Sequence, residues 1–281
     1  MKKVLSVACA LCMTTAMLTG CGSSNNAGTA ATGEAQNSAA ASTTTEQAST
    51  ATDAGTTLIA LITMDSLDQH WVTLNEGAQK AAAELGVTVQ FMAPNTKDDA
   101  QQIECVNNAV SAGAQAIIVA ANGPDAISSA LREASDAGVK LIYVDSPANV
   151  SAEATFSTDN NAAGKTAGEE MKKALADAGV TSGSIGIINV NAATDSCVMR
   201  EEGFRSAFEG TDFELLETQY GEGDAAKSQS IAENYITQGV VGIFGCNEGS
   251  TTGAGNAIKA SGKDNVIGVG FDKSCLLYTS P

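Results

Sequence analysis

The chain has 281 residues, and its 32 acidic side chains against 15 basic ones give a formal charge of −17 at pH 7. A surplus of that sign repels nucleic acid and anionic lipid, and no polybasic run offsets it. The single histidine, His70, leaves no Ser-His-Asp set and little scope for a histidine metal site, so neither a metal nor a cofactor is expected.

Lys2 and Lys3 precede an uncharged apolar run, Val4 to Leu18, that is short for a membrane span. Residues 1–20 therefore read as a signal peptide. Leu18-Thr19-Gly20-Cys21 resembles the lipobox of bacterial lipoproteins, which implies lipid on Cys21 and a mature chain anchored to the cell membrane outside the cytoplasm. Residues 21–56 are rich in Ser, Thr, Ala, Gly, Asn and Gln and hold no aromatic or large aliphatic side chain past Cys21. Such a segment cannot offset its ordering entropy and reads as a disordered linker. Cys105, Cys197 and Cys246 stand apart without a CxxC pattern, so zinc is not expected and a disulfide among them stays open.

From Leu58 onward apolar runs of strand length alternate with amphipathic stretches. Strands are expected near 58–63, 87–92, 116–120 and 141–144, with helices near 73–85, 98–112 and 124–137. Gly86, Gly113 and Gly138 supply left-handed caps. After 155–157 the alternation resumes. Helices are expected at 162–178, 196–208, 225–237 and 251–260, and strands at 184–189, 213–218, 240–245 and 266–270. The length from Leu58 exceeds one typical domain of about 150 residues, and near-continuous apolar strands imply parallel sheets covered on both faces. The expectation is α/β: two doubly wound parallel-sheet lobes, an N-terminal one over 57–157 and a C-terminal one over 158–273.

Ligands on such sheets bind beyond the carboxyl ends of the strands. Those positions are polar: Asp65, Ser66 and Asp68 after the first strand, Asn122 after the third, and Asp145 and Ser146 after the fourth. In the second lobe they are Asn191, Asn247 and Asp272. Two such edges facing one another would make a cleft of donors and acceptors.

Several segments in this order carry a resemblance: Asp68-Gln69-His70-Trp71, Asn75-Glu76-Gly77-Ala78, Val144-Asp145, Thr158-Asp159-Asn160, Arg200-Glu201-Glu202-Gly203-Phe204, Cys246-Asn247-Glu248 and Val269-Gly270-Phe271-Asp272. With them, Leu58 to about Lys273 resembles the ribose-type periplasmic binding proteins of type I, whose members feed sugars to ABC importers. The resemblance implies a hinge, an interlobe cleft and no catalysis. It also implies ligand contacts from Asp68 and Asp145, ring contacts from His70, Trp71 and Phe271, and a polar clamp of Arg200, Asn247 and Asp272. Thr158 falls at the crossing between lobes. The implied partners are a sugar or sugar-like polyol and a permease–ATPase complex, with the binding protein itself a monomer. The residue types suit a sugar on their own terms, because its C–H faces pack on rings and its hydroxyls both donate and accept.

The chain departs from the ribose pattern at Ala120, where an amide is expected, at Ser146, where an arginine is expected, and at Gly223, where an aromatic is expected. A sugar other than ribose is the consequence. Enzyme motifs fail: Gly164-Lys165-Thr166 lacks the earlier glycine of a P-loop, with Asp159 in its place, and neither GxGxxG nor GxSxG occurs in context. The effector domain of a LacI-like repressor shares the expected fold, but the secretion signal and the lack of a DNA-binding headpiece argue against it. A sensor lipoprotein presenting sugar to a chemoreceptor or kinase, and a nucleoside-binding lipoprotein, remain alternatives. Residues 274–281 read as a non-native tail on a C-terminally truncated second lobe.

Overall fold

The computed structural model describes residues 56–272. The expectations for the signal peptide, Cys21, the linker up to residue 55 and the C-terminal tail lie outside the described residues. One sheet holds β1 (Leu58–Ile62), β2 (Thr88–Met92), β3 (Ala116–Val119), β4 (Lys140–Val144) and β5 (Ala154–Phe156), all parallel, in the order β2-β1-β3-β4-β5. Its helices are α1 (Gln69–Leu85), α2 (Asp99–Ser111) and α3 (Ser128–Asp136). A second parallel sheet holds β6 (Gly183–Asn189), β7 (Phe213–Leu215), β9 (Gly242–Gly245) and β10 (Ile267–Gly270), in the order β10-β9-β6-β7. The short β8 (Gln219–Tyr220) also pairs with β6. Around it run α4 (Asn160–Asp177), α5 (Asp195–Ala207), α6 (Ala225–Gln238) and α7 (Glu248–Ser261).

The winding follows from strands that are apolar on both faces. In the second sheet Ile185, Ile187 and Phe244 pack with Met171, Leu175 and Phe204 of α4 and α5. Their neighbours Ile188 and Ile243 face Ala232, Ile236 and Ala257 of α6 and α7. In the first sheet Ala60, Ile62, Ile117 and Val119 pack with Val106 of α2 and Leu131 of α3. Trp71 of α1 sits in a separate cluster with Met64 and Ala120. Both sheets reverse strand order at a central pair, β1/β3 in one and β6/β9 in the other, which places two crevices at the strands' carboxyl ends.

Several local outcomes differ from the periodicity, among them α3, which starts at Ser128 and not near Pro124, and 154–156, which form the unexpected β5. Helix α1 starts at Gln69 and not near Thr73, because Asp68 caps it by accepting from the His70 N–H. Helix α7 likewise starts at Glu248, capped by Asn247, whose Oδ1 accepts from the Ser250 N–H. The run 213–218 leaves the ladder after Leu215: the Leu216 carbonyl accepts from Arg205 and the Glu217 carbonyl from the Tyr235 hydroxyl, so these groups are spent outside the sheet.

Helices α4 and α5 cross at glycines. A Cβ on Gly203 would lie 2.0 Å from the Asn161 carbonyl oxygen, and one on Gly164 would lie 2.0 Å from that of Arg200. This close approach sets Arg200 against Asn160 at the start of α4, where its Nε donates to Asn160 Oδ1 at 2.9 Å.

Candidate ligand-binding site

The fourth strand of each sheet ends in the same way. Asp145 follows β4 with φ 60° and Asp272 follows β10 with φ 68°, both in the left-handed region that aspartate tolerates better than most residues. Both carboxylates converge on one guanidinium. Arg200 of α5 lies 3.8 Å from Asp145 Oδ1 and 3.7 Å from Asp272 Oδ2, donates to the Cys246 carbonyl at 3.0 Å, and stacks 4.4 Å from the Phe271 ring centroid. It is buried, so these charges are only weakly screened.

Around this clamp lies a small cavity of about 20 Å³, lined from the first lobe by Met64, Asp68, His70, Trp71, Lys97 and Asp145. The opposite wall is Val190, Ser196, Cys197, Arg200, Asn247 and Asp272. The His70 and Trp71 rings meet edge-on, with centroids 4.6 Å apart. Trp71 Nε1 and Asn247 Nδ2 are buried donors without a hydrogen-bond partner among the described residues. Such groups cost free energy unless an acceptor meets them.

Of the residues singled out from sequence, Asp68, His70, Trp71, Asp145, Arg200, Asn247 and Asp272 therefore share one cavity. Phe271 lies beneath Arg200, against Phe244, and outside that lining. Asn122 and Ser146 lie outside the cavity lining. The Asn122 side chain donates to Asp99 Oδ1 within its own lobe, only its backbone carbonyl accepting from Thr194 Oγ1 at 2.7 Å, and Ser146 Oγ bonds Ser196 Oγ of the other lobe at 2.9 Å. Thr158 is exposed between β5 and α4, its carbonyl accepting from Asn160 Nδ2.

Three side chains of the site and its frame fall outside the sequence expectations. Lys97, from the turn between β2 and α2, places its ammonium on Asp65 and at 3.4 Å from Asp68. Inspection of the second strand's carboxyl end, as was done for the first, third and fourth, would have reached it. Ser196 accepts no role from sequence, yet its hydroxyl donates to Asp145 Oδ2 at 2.9 Å. Gln102, wholly buried, donates to the Thr63 and Ala120 carbonyls and accepts from the Asn122 N–H, and so ties the ends of β1 and β3 together.

Burial pushes the Asp65 carboxyl up, but the Lys97 charge and hydrogen bond, with the Asp68 and Leu67 N–H groups, more than reverse this and hold it below its ordinary value. Burial likewise lowers Lys97, and Asp65 and Asp68 outweigh it, so the ammonium stays charged. Glu248, whose Oε2 accepts from the Gln69 N–H at 3.0 Å across the lobes, is pushed up to about 7 by burial and by Asp68 and Asp272. Burial raises the Cys197 thiol to about 11 and Cys246 well above its usual value, so both are inert neutral thiols. Among the described residues Cys105, Cys197 and Cys246 form no disulfide with one another. Among the described residues no cluster of His, Cys, Asp and Glu could hold a metal ion.

Two parallel-sheet lobes gripping a polar cavity at their switch points define a solute-binding architecture. Residues 59–278 match the family described as periplasmic binding protein domain, and the chain belongs to it. It is 30% identical over 227 residues to the ribose import binding protein of Haemophilus influenzae, covering 80% of this chain and 75% of that one. It is 28% identical to the D-apiose import binding protein of Actinobacillus succinogenes, covering 81% and 73%. A solute-binding protein of an ABC transporter from Agrobacterium vitis, solved with bound D-fucose, superimposes with a TM-score of 0.74 at 28% identity, covering 79% of this chain and 78% of that one.

Proposed function

We propose that this protein is an extracytoplasmic solute-binding protein that captures a neutral monosaccharide or similar polyol between its lobes and presents it to an ABC importer. The observation that carries this is the meeting of Asp145 and Asp272, one from each lobe, on Arg200 beside Trp71 and Asn247. A sugar hydroxyl donates to a carboxylate while accepting from a guanidinium or amide, and its C–H face packs on an indole. No bond need form or break for that task. The relatives' names support the sugar class, and the lipobox at Cys21 supports a lipid anchor.

The cavity of about 20 Å³ has room for roughly one water. A sugar enters only if the lobes part and re-close on it, or if a lining side chain withdraws. Thr194–Asn122, Ser196–Ser146 and Gln69–Glu248 are the bonds exchanged in that opening. Because ligand that binds only the assembled site raises the melting temperature, a thermal-shift screen of pentoses, hexoses, polyols and nucleosides tests the reading. Stabilisation by sugars, with a change in emission from Trp71, supports it. A response restricted to nucleosides, or none at all, overturns it.

A further inference from the structure

A second, larger cavity of about 670 Å³ opens between the lobes, lined from the first by Asp65, Asn95 and Lys97 and from the second by Glu222, Gly223 and Glu248, among others. Among the described residues, Asp68 and Lys97 alone border both this space and the smaller one. Lys97 therefore stands at the seam. Its side chain is 7% exposed, and the carboxylates it bridges are 7% and 10% exposed. Lysine is seldom buried to this degree, and an ion pair so placed is weak evidence for a stabilising role, since apolar packing of similar volume does as well. The stem reaches across the lobes: a Cβ on Gly223 would lie 2.7 Å from Lys97 Cδ and 3.1 Å from Nζ. Gly223 is the position where an aromatic ring is expected and absent, and the lysine stem from the opposite lobe fills that place.

We propose that Lys97 is a specificity-determining, ligand-contacting residue of the cleft, whose ammonium withdraws toward the larger cavity as a sugar enters and then donates to a ring hydroxyl that itself donates to Asp68. An ammonium has three N–H donors, of which Asp65 and Asp68 take two. A second such cation stands across the cleft, where Arg200 of the other lobe lies between Asp145 of the first lobe and Asp272 of the second. The cleft thus presents two cations among four carboxylates. Such groups pair with hydroxyls that donate and accept together, and their net negative charge rejects sugar acids and sugar phosphates.

The proposal rests on the sugar-binding reading, so the test separates the two. Isothermal titration of the full chain and of K97M, which keeps most of the stem without the charge, uses D-ribose, D-apiose, D-allose, D-fucose and D-galactose, with D-galacturonate as the acidic probe. The expected result is at least about a tenfold loss in K97M for the sugar that the wild type binds best, the scale of a lost charge-assisted hydrogen bond. The order of preference among the neutral sugars also changes, D-fucose and D-galactose being informative because they differ by one hydroxyl. K97R, which keeps charge and length, retains the fold and re-orders the panel as well. Unchanged affinities and order in K97M, or a uniform loss with the order kept in both variants, overturn the role of Lys97 while sugar binding stands. Binding of D-galacturonate in preference to the neutral sugars overturns the charge argument, and a wild type that binds no sugar of the panel overturns both readings.

Discussion

Replacing Arg200 with methionine removes the one cation that joins the two lobes' carboxylates while nearly conserving volume. In the native structure the guanidinium donates to Asn160 Oδ1 at 2.9 Å and to the Cys246 carbonyl at 3.0 Å, and it faces Asp145 and Asp272 at 3.8 and 3.7 Å. The variant leaves a buried carbonyl and a buried amide oxygen without that donor, and two carboxylates without a counter-charge. Breaking one side of a buried pair costs about 3–5 kcal/mol. The carboxylate distances exceed those of a bidentate fork, so the lower end applies and the expected loss is about 3 kcal/mol. Urea unfolding followed by circular dichroism reads it as a lower midpoint at unchanged slope. A double-mutant cycle with Asp145→Asn isolates the part that crosses between lobes, because removal of the second partner should then cost much less than removal of the first. Stability of R200M within about 0.5 kcal/mol of wild type, the usual range for surface changes, would refute the claim that buried charge pairing holds this clamp together.

Other perturbations test the supporting shell. Gly203→Ala drives a methyl to 2.0 Å from the Asn161 carbonyl and should cost about 3 kcal/mol by forcing α4 and α5 apart, with sugar affinity falling alongside as Arg200 shifts. Gln102→Met removes the shared partner of two carbonyls and one N–H at the ends of β1 and β3, a loss of about 2–4 kcal/mol in chemical unfolding. Glu248 is pushed up to about 7 with the lobes together, by burial and in part by Asp68 of the facing lobe, so parting the lobes lowers it and the closed form binds the extra proton. Closure and sugar affinity should therefore weaken as pH rises through 7, and Glu248→Gln should flatten that slope in titrations from pH 5 to 8. An unaltered slope in E248Q would remove Glu248 from the linkage.

The alternation of strand and helix was legible because it is local: a buried strand must be apolar along its length, and glycine at positive φ, as at Gly86 with φ 67°, marks where a helix stops. The polar residues just beyond the strands were legible for a related reason, since backbone ends at a sheet's edge are where a crevice forms. Helix starts were less so. Asp68 and Asn247 look like ligand donors in sequence, and in the structure each also spends an oxygen as a helix cap, which draws His70, Trp71 and Glu248 into the first turn. Asn122 and Ser146 sit where a ligand residue should, yet the Asn122 side chain turns to Asp99 of its own lobe and Ser146 meets Ser196 of the other. Nothing in a linear pattern states which polar group finds its partner across a gap.

Periodicity and composition alone thus determined an acidic, two-lobed α/β chain with polar strand ends, because burial and backbone geometry act on neighbours along the chain. Which of those ends meet was decided only by packing. The glycine-to-carbonyl approach of α4 and α5 aims Arg200, and the lobe contact brings Asp145 to it. The space left by Gly223 admits Lys97 from the facing lobe. These are long-range juxtapositions, fixed by sterics and charge between segments far apart in sequence.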